Sequence, residues 1–204
     1  MTAPRLALLL ATLVVAACAV GAGGCGLFDT AQPELPDAGI VIPPDFTLPD
    51  SLLATIERAV ERKSSSNYGL CLTDSLGNQE PGFYATFDPA DLSEWTNLGN
   101  PDPGTWTRRE ETRFFPSFLA FNPNADYEMY LSPVSPDNFD VDGDTKIYYR
   151  RYRVYAAGIP IAAGVGVLTM DRVGLSGEWK LRFWEDRRDT AGVLTMGRRR
   201  LSGQ

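Results

Sequence analysis

Histidine is absent from all 204 residues of the chain. That removes Ser-His-Asp and Cys-His nucleophile systems, histidine general bases and His-ligated zinc together. Positive charge is scarce as well, with 19 Lys and Arg against 26 Asp and Glu for a formal net charge of -7. Neutralising nucleic-acid phosphates needs clustered basic residues, so no nucleic-acid partner is expected. There are only three cysteines, an odd count that leaves one without a certain partner. What is present suits a globular protein: 44% hydrophobic and 22% charged residues supply a core and exclude wholesale disorder.

Leu6 to Ala17 is apolar except for Thr12, follows a single positive charge at Arg5, and is too short for a membrane-spanning helix of about 20 residues. Small residues come next, and two cysteines end the segment, in Val15-Ala16-Ala17-Cys18 and Ala22-Gly23-Gly24-Cys25. Both resemble the cleavage box of bacterial lipoproteins, which are cut before a diacylated cysteine. Cys18 has the better box, with a branched apolar residue at minus three. Cys25 is better placed, because Gly26-Leu27-Phe28-Asp29 opens polar chain directly after it. The resemblance implies a signal peptide over 1–24, a lipidated Cys25 (alternatively Cys18), and a palmitate-type membrane anchor. The protein would then sit at the bacterial cell envelope, on the periplasmic or outer-membrane face. Residues 25–46, with Pro33, Pro36, Pro43 and Pro44, read as an extended spacer. Residues 47–204 remain as one domain. Cys71, inside Leu70-Cys71-Leu72, reads as core packing.

Within that domain Leu52, Leu53, Ile56 and Val60 recur at helical spacing, which predicts a helix over 48–63 with Thr47 as its cap and Pro49 in its first turn. Residues 67–73 read as a short helix or an apolar turn, and 83–87 as a strand. Thr107-Arg108-Arg109-Glu110 is a capping box that starts a helix through Phe114 and Phe115, which Pro116 is expected to kink or end. Four strands follow at 127–131, 146–157, 159–171 and 178–185. Trp179, Leu181 and Phe183 are expected to point inward. Helices first and neighbouring strands afterwards make an α+β domain, with N-terminal helices packed on a curved antiparallel sheet.

This element order resembles the nuclear transport factor 2-like proteins, whose cone-shaped fold is shared with ketosteroid isomerases and scytalone dehydratase. The ending Gly177-Glu178-Trp179 with Trp184-Glu185-Asp186 is similar to that of bacterial lipoproteins of this type. The family's enzymes work inside the cone with an Asp base and a Tyr or protonated Asp donor, or with Tyr, His and Asp. Asp74 and Asp88 lie near the isomerases' base position, but both read as loop or turn residues whose carboxyls water keeps acidic.

Asn138 to Asp144 spaces oxygen ligands like a calcium loop, yet Lys146 and Tyr149 stand at its ninth and twelfth positions, so a solvated turn is expected and no metal. Strand alternation places Tyr148, Arg150, Tyr152 and Val154 on one face. Tyr148, Arg150 and Tyr152 are the candidate ligand contacts, Arg150 meeting a small apolar or anionic ligand or pairing with a carboxylate of its own domain. Arg198 to Arg200 read as a solvated tail. The expected function is a non-catalytic binding or interaction module without a cofactor, held at a membrane by its lipid and able to pair with a second copy through its sheet. One alternative is an isomerase- or dehydratase-like enzyme using Asp and Tyr, marked by a buried carboxyl within about 3 Å of a tyrosine hydroxyl and free of arginine. Another is a structural envelope protein.

Overall fold

A computed structural model describes residues 44–74, 82–189 and 193–203, with the backbone alone over 136–140. The signal segment, both N-terminal cysteines and most of the spacer lie outside the described residues. Helix α1, Pro49–Glu61, begins where Pro49 presets φ and Asp50 meets the helix dipole. Its stripe of Leu52, Leu53, Ile56, Ala59 and Val60 is buried. Each Leu, Ile and Val among them contributes roughly 1.5–3 kcal/mol on leaving water. Thr47 is not its cap: Leu48 takes that position, while the Thr47 amide and hydroxyl donate to Asp45 at 2.9 and 2.7 Å. Helix α2, Ser65–Cys71, is capped by Ser64, whose hydroxyl accepts from the Asn67 amide.

Strand β1, Tyr84–Thr86, leads into helix α3, Pro89–Asn97, capped by Asp88 and unforeseen in the sequence. Strand β2, Trp106–Thr107, precedes helix α4, Arg108–Ala120, whose capping box of Thr107 and Glu110 is present as expected. Pro116 does not end α4. It faces solvent, and the helix continues because Phe118 and Leu119 bury on the opposite side, which outweighs one missing amide hydrogen bond.

Strands β3 (Tyr127–Asp142), β4 (Thr145–Ala156), β5 (Ile159–Val173) and β6 (Glu178–Arg187) complete a six-stranded sheet ordered β2-β1-β6-β5-β4-β3. All pairs are antiparallel except β1 with β6. Ala157 and Gly158, at φ 50 and 74, form the tight β4–β5 turn. Helix α5, Met196–Ser202, closes the domain.

The α+β architecture is therefore the one expected, helices against a curved and mainly antiparallel sheet. The core collects Leu52, Ile56 and Val60 of α1, Phe115 and Phe118 of α4, Tyr152 and Val154 of β4, Leu168 and Met170 of β5, and Leu181 and Trp184 of β6. A register shift redirects the second half of β6. Thr169 pairs with Phe183 but Met170 pairs with Leu181, so β6 bulges at Arg182. Trp179 and Leu181 point into the core as expected. After the bulge Trp184 and Asp186 do so, and Phe183, expected inside, turns to the other face against Tyr84 at 4.6 Å.

Candidate functional site in the cone interior

The interior ends in a cluster of ionic and aromatic groups that α5 seals. Glu111 of α4 shares a helical stripe with Phe114, Phe115 and Phe118, so the packing that buries the rings buries the carboxylate too. It is fully buried and accepts four hydrogen bonds: Tyr68 Oη at 2.6 Å, Trp106 Nε1 at 2.7 Å, and Arg200 Nε and Nη2 at 2.8 Å each. Arg200 comes from α5, is 1% exposed, and lies with its guanidinium 4.9 Å from the centre of the Trp184 ring. Burial works against its charge, but Glu111 outweighs this and holds its pKa above the ordinary arginine value. The basic run at 198–200 is thus no solvated tail, because a buried carboxylate waits for its third member.

Tyr152 of β4 reaches across Gly164 of β5, where a Cβ would stand 2.5 Å from the hydroxyl. The hydroxyl donates to Asp186 Oδ1 at 2.6 Å and accepts from the Met196 amide at 2.8 Å. The other oxygen of Asp186 accepts from the Gly197 amide, and a Cβ at Gly197 would lie 2.8 Å from it. Burial pushes the Asp186 carboxyl up to about 6, partly offset by Arg200 and by the bonds from Tyr152 and Gly197. A third carboxylate, Asp91 of α3, accepts from Thr195 Oγ1 and from Arg188 Nε and Nη2, the latter two at 2.9 and 2.6 Å. Three carboxylates on three elements therefore receive the start, the first turn and the body of the last helix.

Tyr148, Arg150 and Tyr152 do share the buried face of β4. Tyr152 is engaged with Asp186. Arg150 covers the Tyr148 ring at 4.6 Å, donates to the Tyr149 carbonyl at 3.1 Å, and has Nη2 4.0 Å from Asp50 of α1. Asp74 is exposed and ion-paired with Arg108 at 2.7 Å, at the edge of a surface hollow of about 670 Å³ beside β1 and β2. Asp88 caps α3, and its second oxygen accepts from the Arg188 amide. Cys71 is buried, donates to the Asn67 carbonyl at 3.2 Å, and has its thiol pushed up to about 12 by burial. Asp142 accepts from the Asp144 amide in the β3–β4 turn, and the described residues contain no cluster of three potential metal ligands.

Glu111, Asp186 and Arg200 escaped the sequence reading. Asp186 has the buried carboxyl-to-tyrosine geometry that marks a poised acid or base, with no hydrogen bond from arginine. The expectation that carboxylates stay in solvated loops fails there, because the β6 bulge turns Asp186 inward.

The chain matches no protein-family profile and no curated protein sequence. Among the solved structures similar to it are proteins of cystatin-like and NTF2-like fold. A cystatin-like-fold protein of unknown function from Nostoc punctiforme is 11% identical, with 70% of this chain and 89% of that one covered at a TM-score of 0.46. An NTF-2-like protein of unknown function from Shewanella oneidensis is 10% identical, with 67% and 93% covered at 0.44.

Proposed function

We propose that the protein is a lipid-anchored module of the bacterial cell envelope that binds or interacts and does not catalyse. The observation that carries the non-catalytic half is the closure of the cone by its own chain. Both oxygens of Glu111 and both of Asp186 are taken by donors of the same domain, and Gly197 is seated against the Asp186 carboxyl, which burial pushes up to about 6. A general acid or base needs hydrogen-bond reach to its substrate, and α5 occupies that space. In this reading Arg150, between Tyr148 and Asp50, is the cation an anionic ligand would meet, and the sheet is where a second copy would dock.

The envelope half rests on the apolar leader and on Cys25. No described helix is long and apolar enough to cross a membrane. In this reading the acylated cysteine is the anchor, each buried methylene contributing about 0.8 kcal/mol. Expression in a bacterial host with labelled palmitate tests it. The full chain is expected in the membrane fraction carrying label, and Cys25→Ser is expected unlabelled in the soluble fraction. Label that persists in Cys25→Ser and disappears in Cys18→Ser moves the anchor to Cys18, and an unlabelled wild type overturns the reading.

The Asp186–Tyr152 pair favours a second reading, an isomerase- or dehydratase-like enzyme. It requires α5 to leave the cone during turnover.

A further inference from the structure

We propose, on the anchored reading, that the end of the cone where β5 turns into β6 is a membrane foot: Leu175 at its tip enters the interface of the bilayer that holds the lipid, and so fixes which way the domain faces. The turn Gly174-Leu175-Ser176-Gly177 is closed by the Gly177 amide on the Gly174 carbonyl at 3.3 Å, with both glycines at φ 65, a conformation that glycine adopts without strain. Nothing in such a turn calls for a leucine, since turn positions favour small and polar residues. The Leu175 side chain is wholly exposed and adds nothing to the core, so its apolar surface is open to another apolar phase.

One exposed leucine is ordinary on a protein surface, but three more large apolar side chains are exposed at the same end. Leu48 lies two residues after Phe46, whose carbonyl accepts from the Trp179 amide of β6 at 2.8 Å. Leu70 ends α2, where its carbonyl accepts from Lys180 Nζ at 2.9 Å. Val141 stands beside the β3–β4 turn, whose Asp144 carbonyl accepts from the Arg172 amide at 2.8 Å. The charges around the tip are paired: Arg172 with Asp144, Lys180 with Glu178 and Arg182 with Asp171, at 3.9, 3.2 and 2.7 Å. Paired charges cost less to bring toward a low dielectric than single ones, and arginine and lysine stems can lie along lipid while their heads reach the headgroups. The chain from the anchor enters at this end too. Pro44 is two residues before Phe46, and the spacer back to Cys25 spans at most about 65 Å. A tether of that reach holds the tip beside the bilayer at an effective concentration on the order of millimolar, so a weak apolar contact is enough to orient the domain. The opposite end exposes Phe121 and Ile159, but the Arg199 guanidinium covers Phe121 at 6.0 Å, and Ile159 begins β5 while Phe46 meets β6 opposite the end of β5.

The test places the acylated full-length protein on phosphatidylcholine vesicles containing a spin-labelled lipid, with an environment-sensitive dye on Leu175→Cys, Leu98→Cys or Ile159→Cys, three exposed positions. Cys71 does not compete for the dye, being buried with its thiol pushed up to about 12. Dye at 175 is expected to be quenched at least about threefold more than dye at 98 or 159. Equal quenching at the three positions, or stronger quenching at 159, overturns the foot. Without dye, amide exchange over 172–178 is expected to slow several-fold when wild type joins the vesicles, and Leu175→Asp is expected to sediment with them without that slowing. Exchange unchanged in wild type, or slowed as much in Leu175→Asp, overturns the foot as well. Because Leu175 packs on no core residue, its variants are expected to keep the wild-type melting temperature. Sedimentation keeps the two proposals apart: a wild type that stays in the supernatant overturns the anchor and the foot with it, whereas protein that sediments with even quenching overturns the foot alone.

Discussion

The two sides of the cone are closed by opposite chemistry. On one side α1 lays Leu52, Ile56 and Val60 against the core, and hydrocarbon dominates a contact whose polar links are Glu57 to the Leu131 amide and Asp50 to Arg150. On the other, α5 brings Thr195, the Met196 and Gly197 amides and Arg200 to Asp91, Tyr152, Asp186 and Glu111. Apolar contact is non-directional and strengthens with area, so the α1 side sets stability. Ionic contact in a dry interior is directional, and its desolvation cost nearly cancels its attraction, so the α5 side sets position more than stability. A helix seated in this way is specific in where it docks.

The contrast can be broken at its strongest point first. Glu111→Ala strands a buried guanidinium together with the Tyr68 and Trp106 donors, and is expected to cost about 3–5 kcal/mol by urea unfolding. The double replacement Glu111→Leu with Arg200→Met is expected to return most of that loss. A double variant as unstable as Glu111→Ala would show that the ions hold the domain together.

Ile56→Ala on the apolar side is expected to cost about 2–4 kcal/mol. No second substitution in α5 is expected to restore it, which separates the two sides.

The smallest effect is in pH. A carboxyl raised in the folded state to about 6 contributes stability that is fully present below its unfolded value of 3.8 and is lost as pH rises through about 6. Wild type is therefore expected to gain on Asp186→Asn by on the order of 2 kcal/mol between pH 7.5 and pH 4. Burial also raises Glu57, but Glu57 is common to both proteins and cancels from the difference. A difference that stays flat over this range would mean that Asp186 titrates where water would put it.

The same contrast explains which parts of the molecule are legible in its sequence. The α1 side is legible because Leu52, Ile56 and Val60 repeat at the helical period, and the α4 start because Thr107 and Glu110 are three residues apart. The α5 side is hidden because its partners are charged, and charge in a sequence reads as surface. A signal exists for Glu111, which falls at the spacing of Phe114, Phe115 and Phe118 and so shares their buried stripe. Arg200 has a weaker one, four residues after Met196 and next to Leu201. Asp186 has none, since alternation counted from Trp179 and Leu181 puts it on the wrong face unless the extra residue at Arg182 is known. Tyr148, Arg150 and Tyr152 are readable as one face of β4, though not that Tyr152 turns to Asp186.

That extra residue works like a shift of reading frame inside β6. Before it the odd positions, Trp179 and Leu181, face the interior, and after it the even positions, Trp184 and Asp186, do. The strand thereby carries two messages in tandem, an oily one ahead of the bulge and an acidic one beyond it. Deleting Arg182 would remove the bulge and leave Leu181 opposite Met170 and Phe183 opposite Thr169 in unbroken register, so Trp184 and Asp186 would keep facing the interior beneath α5.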